Sequence, residues 1–378
     1  MKHLYLAYRS YEPGIAATNR ILAYLNSLSE AGIQVTAVFF FPDGKRSKPN
    51  VSFKGIDYLY VWDKLSWPKN KLGSIIATRL YYIWFRRMLK NGDNVFVYGM
   101  VDLIHCLIKK KGINVYDEIT EHPVAIGYRN PLTSVSWNKY YKDCNKLRGL
   151  FVISNNLKLF FTEKGVDEKR IQVINMIVDP ARFADVEKKS GEKYIAYCGV
   201  IYNNKDGVDQ LIKAFAKISP TYPDVKLYVI GPIPRSSENN DNIALIENLG
   251  LIDKVVLTGR VEADRMPQLL MNATILALDR PNNLQAKYGF ATKLGEYLLT
   301  GNPVVLTDVG DIKMFFKDGE NALVAQPDDI DSFASKLCWC LDNPEKARLI
   351  GENGKRTAMQ FFNARIETNK IIKYIFHE

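Results

Sequence analysis

A threonine, a lysine and a glutamate fall within a few residues in Tyr288-Gly289-Phe290-Ala291-Thr292-Lys293-Leu294-Gly295-Glu296, a stretch that runs on to Gly301-Asn302-Pro303. Thr292 is placed to cap a helix that ends at Gly301, with Pro303 opening the following strand. The N–H groups of Ala291, Thr292 and Lys293 would then face whatever lies ahead of the helix, which suits a diphosphate. Glu296 comes one turn after Thr292 on the same face, where a carboxylate can accept from both hydroxyls of a ribose. An ordinary helix with a solvated glutamate would show the same pattern, and Leu294, Leu298 and Leu299 serve packing under either reading.

Three further places combine reactive residue types with turn signals. In Gly199-Val200-Ile201-Tyr202-Asn203-Asn204-Lys205-Asp206-Gly207, Lys205 can meet a phosphate as a compact point charge; a solvated loop lysine is the plain alternative. In Arg9-Ser10-Tyr11-Glu12-Pro13-Gly14-Ile15-Ala16-Ala17, Gly14 precedes a helix whose small first residues leave backbone N–H groups open to an anion; a simple turn reads the same way. In Asp117-Glu118-Ile119-Thr120-Glu121-His122-Pro123, Glu121 and His122 are candidates for orienting a substrate, against the alternative of a surface acidic loop.

The elements that must hold these residues are short apolar runs alternating with amphipathic stretches. Strands are expected at 3–8, 35–40, 95–99, 113–117, 150–154 and 171–175, then at 194–199, 226–231, 254–259, 274–279, 303–308 and 322–326. Helical periodicity lies between most of them, including 16–31, 72–90, 101–110 and 155–164, and dominates beyond about residue 327. Continuous apolar strands alternating with helices give α/β domains with parallel sheets covered on both faces. The expected fold is therefore two Rossmann-like, doubly wound parallel-sheet domains facing across a cleft, with ligands outside the carboxyl ends of the strands. Residues 1–185 form the first domain and 192–360 the second, with the polar stretch near 180–192 between them; 361–378 is a helix that could return to the first domain.

At 378 residues, 47% apolar, the chain has material for two cores. Its formal charge of +10 is uneven: residues 1–190 hold 29 basic and 17 acidic side chains, a balance of +12, leaving −2 for the rest. Between 64 and 111, Lys64, Lys69, Lys71, Arg79, Arg86, Arg87, Lys90, Lys109, Lys110 and Lys111 are opposed only by Asp93 and Asp102. This stretch is either the solvated face of a core helix or a surface for anionic lipid headgroups. No reader motif supports nucleic acid as the partner. No apolar run approaches the roughly 18 residues of a membrane span. The start of the chain has no signal-peptide layout, and the five cysteines are scattered, so a cytoplasmic location with reduced thiols is expected. Neither a Cys/His cluster nor a D-x-D at a strand end suggests a metal, and no G-x-G-x-x-G follows a strand to suggest a dinucleotide enzyme.

Taken together, these segments resemble the retaining glycosyltransferases of the GT-B fold, family 4 (glycosyl transferases group 1), of the bacterial surface-polysaccharide type. Pro13 to Ala17 looks like the family's N-terminal glycine-rich loop, and Gly199 to Ala214 like its pyrophosphate segment, with Lys205 at the lysine position. Lys226–Gly231 and Val255–Val261 look like two further family strands. The family signature pairs two glutamates across seven residues and continues G-x-P-V. Glu296 matches the second glutamate, which implies a contact to the nucleotide ribose, whereas Tyr288 stands at the first. Val200 follows Gly199 where the family has an arginine; Arg260 or Arg280 would have to substitute. Thr120–Pro123 looks like a T-E-x-P element of capsule and lipopolysaccharide transferases.

The resemblance implies transfer from a UDP- or GDP-sugar to a glycan or lipid-linked acceptor. Configuration would be retained, with no cofactor, no metal and no protein nucleophile. A lipid-linked acceptor would bring the protein to the inner face of the cell membrane. The competing readings are a nucleotide-sugar epimerase or hydrolase of the same fold, and a non-catalytic nucleotide-sugar-binding protein.

Overall fold

Among the described residues of the computed structural model, thirteen strands fall into two all-parallel sheets, each within its own compact unit. The structure describes residues 2–377 except 44, 50, 65–67, 69, 124–135, 190, 202 and 234–236. Unit 1 comprises Met1–Asn175 and Ala364–Glu378; unit 2 comprises Met176–Asn363.

Unit 1 holds β1 (His3–Tyr8), β2 (Gln34–Phe39), β3 (Ile56–Tyr60), β4 (Asn94–Tyr98), β5 (Asn114–Ile119), β6 (Gly149–Val152) and β7 (Ile171–Val173) in the order β3-β2-β1-β4-β5-β6-β7. Unit 2 holds β8 (Lys193–Cys198), β9 (Val225–Ile230), β10 (Val255–Gly259), β11 (Ile275–Leu278), β12 (Val304–Thr307) and β13 (Leu323–Ala325) in the order β10-β9-β8-β11-β12-β13. The strand order reverses between β1 and β4 in one sheet and between β8 and β11 in the other. At such a point neighbouring loops leave in opposite directions and open a crevice at the carboxyl ends.

The central strands are apolar because both faces are covered: every residue of β6, β11 and β12 is buried. Burying a Leu, Ile or Val side chain contributes about 1.5–3 kcal/mol. Helices start where a polar side chain meets their free amides. Asn70 accepts from Gly73 N at 2.6 Å ahead of the helix Lys71–Met88, and Ser154 accepts from Leu157 N at 3.0 Å ahead of Asn155–Glu163. Asp329 does the same for Ile330–Asp342 through Ser332 N at 2.9 Å.

The units divide at Asn175/Met176, ahead of the polar stretch that composition singled out. Val178 bridges to Asn363 and donates its N–H to Phe362 O at 2.8 Å, so the residues after Asn175 already belong to unit 2. The helix Ala364–Phe376 belongs to unit 1, where Arg365 pairs with Glu30 at 2.8 Å and Tyr374 meets Tyr116 and Phe151 edge-on.

β5 reaches two residues beyond the expected strand. Asp117 and Glu118 are therefore fully buried strand residues and not part of an acidic loop. Asp117 accepts from Tyr140 OH at 2.5 Å, and burial pushes its carboxyl up to about 8. Glu118 Oε1 accepts from Arg20 Nη2 at 2.5 Å, Arg20 Nε at 3.1 Å and Tyr24 OH at 2.9 Å.

Candidate functional site

Unit 2 gathers most of the candidates at its strand-order reversal. The loop after β8 begins at Gly199, and the chain after β11 passes through Asp279 and Arg280. Gly207 holds these two loops together: its φ is +59°, and a Cβ there would collide with Asp279 O. Tyr297 ties the end of β8 to the helix Lys293–Leu299, since its hydroxyl accepts from Cys198 N at 2.5 Å.

Between these elements lies an ionic cluster. Lys293 Nζ is 2.6 Å from Asp206 Oδ2 and donates to Tyr197 OH at 2.9 Å, above the Tyr197 ring. Tyr197 OH donates to Asp206 at 2.8 Å, and Arg280 Nε lies 3.7 Å from the second Asp206 oxygen. Arg280 Nε also donates to Lys205 O at 3.3 Å. Burial raises the Asp206 pKa, but Lys293 and Arg280 outweigh it and hold the carboxyl below its usual range. Burial lowers the pKa of Lys293; Asp206 opposes that, and the positive charge of Lys205 adds to it.

Glu296 sits one turn along the same helix and is partly exposed, with Arg182 hydrogen-bonded and ion-paired to its Oε1. Arg182 comes from the turn Pro180–Phe183, and the sequence reading passed over it. Thr292 occupies the helix N-cap position without a side-chain cap bond: its φ and ψ of −61° and −29° are already helical, which turns the hydroxyl from the amides it would have to meet. The helix closes at Leu299 with Thr300 as C-cap, two residues short of the expected Gly301. The turn starts with Leu294 N on Ala291 O, so the amides of Ala291, Thr292 and Lys293 precede the first helical bond. Ala291 and Arg280 line one small cavity with Leu278, Phe290 and Thr307.

Of the two arginines considered as substitutes, Arg280 is buried in the cluster. Arg260 is exposed after the edge strand β10, two strand positions from β8, and is not brought to it. Asp206 is the cluster residue the sequence reading missed. It sits beside Lys205 in Lys-Asp-Gly, but nothing local announces a partner 87 residues away in Lys293. Tyr202 lies outside the described residues.

The other candidates belong to unit 1. Gly14, at φ +82°, turns the exposed loop ahead of the helix Ala16–Glu30, whose N-cap Ile15 gives no side-chain cap. Glu121 is half-buried after β5, two strand positions from β1. His122 is buried with its ring 4.6 Å from that of Phe160, and burial, with Lys164 nearby, lowers its pKa. His122 is thus a packed ring against an aromatic neighbour as well as a candidate ligand.

In the basic stretch, the helix Lys71–Met88 buries Ala77, Tyr81, Tyr82 and Phe85. Its outer face is not simply charged: Leu72, Ile76 and Leu80 are 69%, 53% and 55% exposed, one turn apart, beside exposed Arg79 and Arg87. Lys69 and the Lys71 side chain lie outside the described residues. No helix among the described residues is long and apolar enough to cross a membrane.

Residues 179–357 match the family described as glycosyl transferases group 1. Among curated proteins, the chain is similar to an MMP alpha-(1->4)-mannosyltransferase of Mycolicibacterium hassiacum, 26% identical over 57% of this chain and 50% of that protein. It is also similar to the Bacillus subtilis putative glycosyltransferase EpsD, 24% identical over 61% of this chain and 59% of that one. The chain spans about half or less of the length of the first curated relatives it matches. Among solved structures, Anabaena HepE in complex with UDP and glucose matches with a TM-score of 0.74 at 15% identity, covering 100% of both chains. The sucrose-phosphate synthase of Thermosynechococcus elongatus matches with a TM-score of 0.76 at 14% identity, again over 100% of both. Likeness at that identity establishes the fold, an α/β architecture of two parallel-sheet domains shared with GT-B proteins.

Proposed function

With residues 179–357 forming a glycosyl transferases group 1 domain, we propose that the protein moves a sugar from a nucleoside-diphosphate donor to a glycan or lipid-linked acceptor. The observation that carries this reading is the meeting of Arg280 and Lys293 on Asp206 at the strand-order reversal of unit 2, with the Lys205 backbone held by Arg280, one helical turn from Glu296. Departure of the sugar leaves extra negative charge on a diphosphate, and preorganised cations are what stabilise it. Lys205 serves there as a compact point charge, the amides of Ala291, Thr292 and Lys293 as neutral donors, and Glu296 as acceptor for the ribose hydroxyls. Transfer proceeds with retention and uses neither a cofactor nor a metal; Glu121 and His122 orient the acceptor or the donor sugar, and Gly14 opens its loop to the anionic donor. HepE solved in complex with UDP and glucose and with UDP-glucose, and the mannosyltransferases among the relatives, support a UDP- or GDP-sugar.

Isothermal titration against a panel of nucleoside diphosphates tests the reading. Micromolar to millimolar binding of at least one is expected, and binding of none overturns it.

The acceptor side of the proposal includes an anionic membrane. Leu72, Ile76 and Leu80 provide apolar contact, with Arg79 and Arg87 beside them for headgroups. Each basic residue near such a surface contributes about 1 kcal/mol. The double variant Arg79→Gln/Arg87→Gln should therefore bind phosphatidylglycerol vesicles about 30-fold more weakly at low salt. Vesicle co-sedimentation unchanged in that variant, or no retention of the wild type, removes the membrane from the proposal.

A further inference from the structure

The ionic cluster of unit 2 contains a cation with an unusual seat. A Cβ at Gly199 would overlap Lys293 Nζ and crowd the Tyr197 hydroxyl, so both occupy space that a side chain at 199 would need. This places the Lys293 charge at the carboxyl end of β8, beside Val200, whose side chain is exposed. The charge therefore sits on the strand β8 loop although the residue belongs to a helix nearly a hundred positions later.

Asp206 and Tyr197 fix it there. Asp206 is buried and takes Lys293 on one oxygen and Arg280 near the other, while Tyr197 is hydrogen-bonded to both Asp206 and Lys293. One carboxylate thus serves two cations, with a third, Lys205, close enough to depress the Lys293 pKa. The Lys293 ammonium is thereby held at the carboxyl end of β8, at the strand-order reversal where an anionic ligand group would arrive. The anion that fits has more than one negative charge and reaches the carboxyl ends of β8 and β11.

We propose that the Lys293 ammonium, seated on Gly199 and held by Asp206 as its positioning residue, binds the diphosphate of the donor and replaces an arginine at position 200. This rests on the donor reading above and specifies which side chain meets the phosphates. In that reading Lys293 is one cation among several and an amide donor; here its ammonium takes the larger share of the phosphate contact.

The test is a titration ladder of nucleoside, monophosphate and diphosphate, in the uridine and guanosine series, with inorganic pyrophosphate as a base-free probe. In the wild type each phosphate should tighten binding. In Lys293→Met, nucleoside affinity should stay within twofold while diphosphate affinity falls about 10- to 100-fold, the size expected for a lost charged hydrogen bond. Gly199→Ala should give the same selective loss with the lysine still present, because the methyl displaces its ammonium. Asp206→Asn should weaken the diphosphate but not the nucleoside, which a merely structural aspartate would not do. Adding Val200→Arg to Lys293→Met should recover most of the diphosphate preference.

If Lys293→Met and Gly199→Ala both keep the wild-type preference for diphosphate over nucleoside, the inference is wrong while the donor reading stands. If the wild type binds neither series but pyrophosphate raises its melting temperature, and does not do so in Lys293→Met, the anion site stands and the donor reading fails. If nothing on the ladder binds, both fall.

Discussion

In Glu296→Ala, affinity for the preferred nucleoside diphosphate should fall about 10- to 100-fold, and affinity for the bare nucleoside by the same factor. Hydrogen bonds to a charged group are worth about 1.5–3 kcal/mol, and 1.4 kcal/mol is tenfold in binding. Arg182 engages Oε1 of Glu296. A carboxylate offers about four acceptor positions, so capacity remains for two ribose hydroxyls. Equal loss for nucleoside and diphosphate separates this role from that of Lys293, whose removal should touch only the phosphate increments. A 2′,3′-dideoxynucleoside diphosphate closes the cycle. The wild type should lose most of the same factor with it, and Glu296→Ala should lose little more. Losses that simply multiply would show that the carboxylate and the ribose do not meet.

Arg20→Ala should destabilise unit 1 by about 3–5 kcal/mol, the range for removing one partner of a buried ion pair. Arg20 and Glu118 side chains are 2% and 0% exposed, and Arg20 also donates to Asn175 O at 2.9 Å and Ile174 O at 3.2 Å. Its removal strands a carboxylate whose Oε2 already lacks a hydrogen-bond partner among the described residues, and takes a donor from two backbone carbonyls. Arg20→Leu combined with Glu118→Leu should be less damaging than Arg20→Leu alone, because no buried charge is then left uncompensated. The two units need not unfold together, so hydrogen exchange under increasing urea, read on β5 and β8 separately, is the suitable measurement. A loss below about 1 kcal/mol in β5 protection would mean that Arg20 is not what stabilises Glu118.

These two residues also mark where sequence reasoning ran out. The continuous apolar runs located twelve of the thirteen strands with ends shifted by at most two residues, since parallel strands buried on both faces leave little else possible. β3, Ile56–Tyr60, was passed over: its half-exposed, alternating Asp57 and tyrosines do not look like a buried strand. Glu296 and Lys205 could be picked out as candidates because a turn signal and a charged residue lay together in the chain. Arg182, Asp206 and the Arg20–Glu118 pair were not, because their partners are 87 to 114 residues distant and only the sheet brings them within reach. The burial of Asp117 and Glu118 was hidden for the same reason: neither Tyr140 nor Arg20 is visible from their neighbours.

The return of the helix Ala364–Phe376 to unit 1 sets an order of events during synthesis. Unit 2 is one uninterrupted stretch and can finish folding as soon as Asn363 has left the ribosome. Unit 1, although translated first, cannot. Until the returning helix emerges, Tyr116 and Phe151 lack their Tyr374 cover, and the Asn175 amide lacks the Glu367 carboxylate that accepts it at 2.8 Å. A nascent chain therefore holds an open apolar face on its older half while its younger half matures, until the helix Ala364–Phe376 covers it.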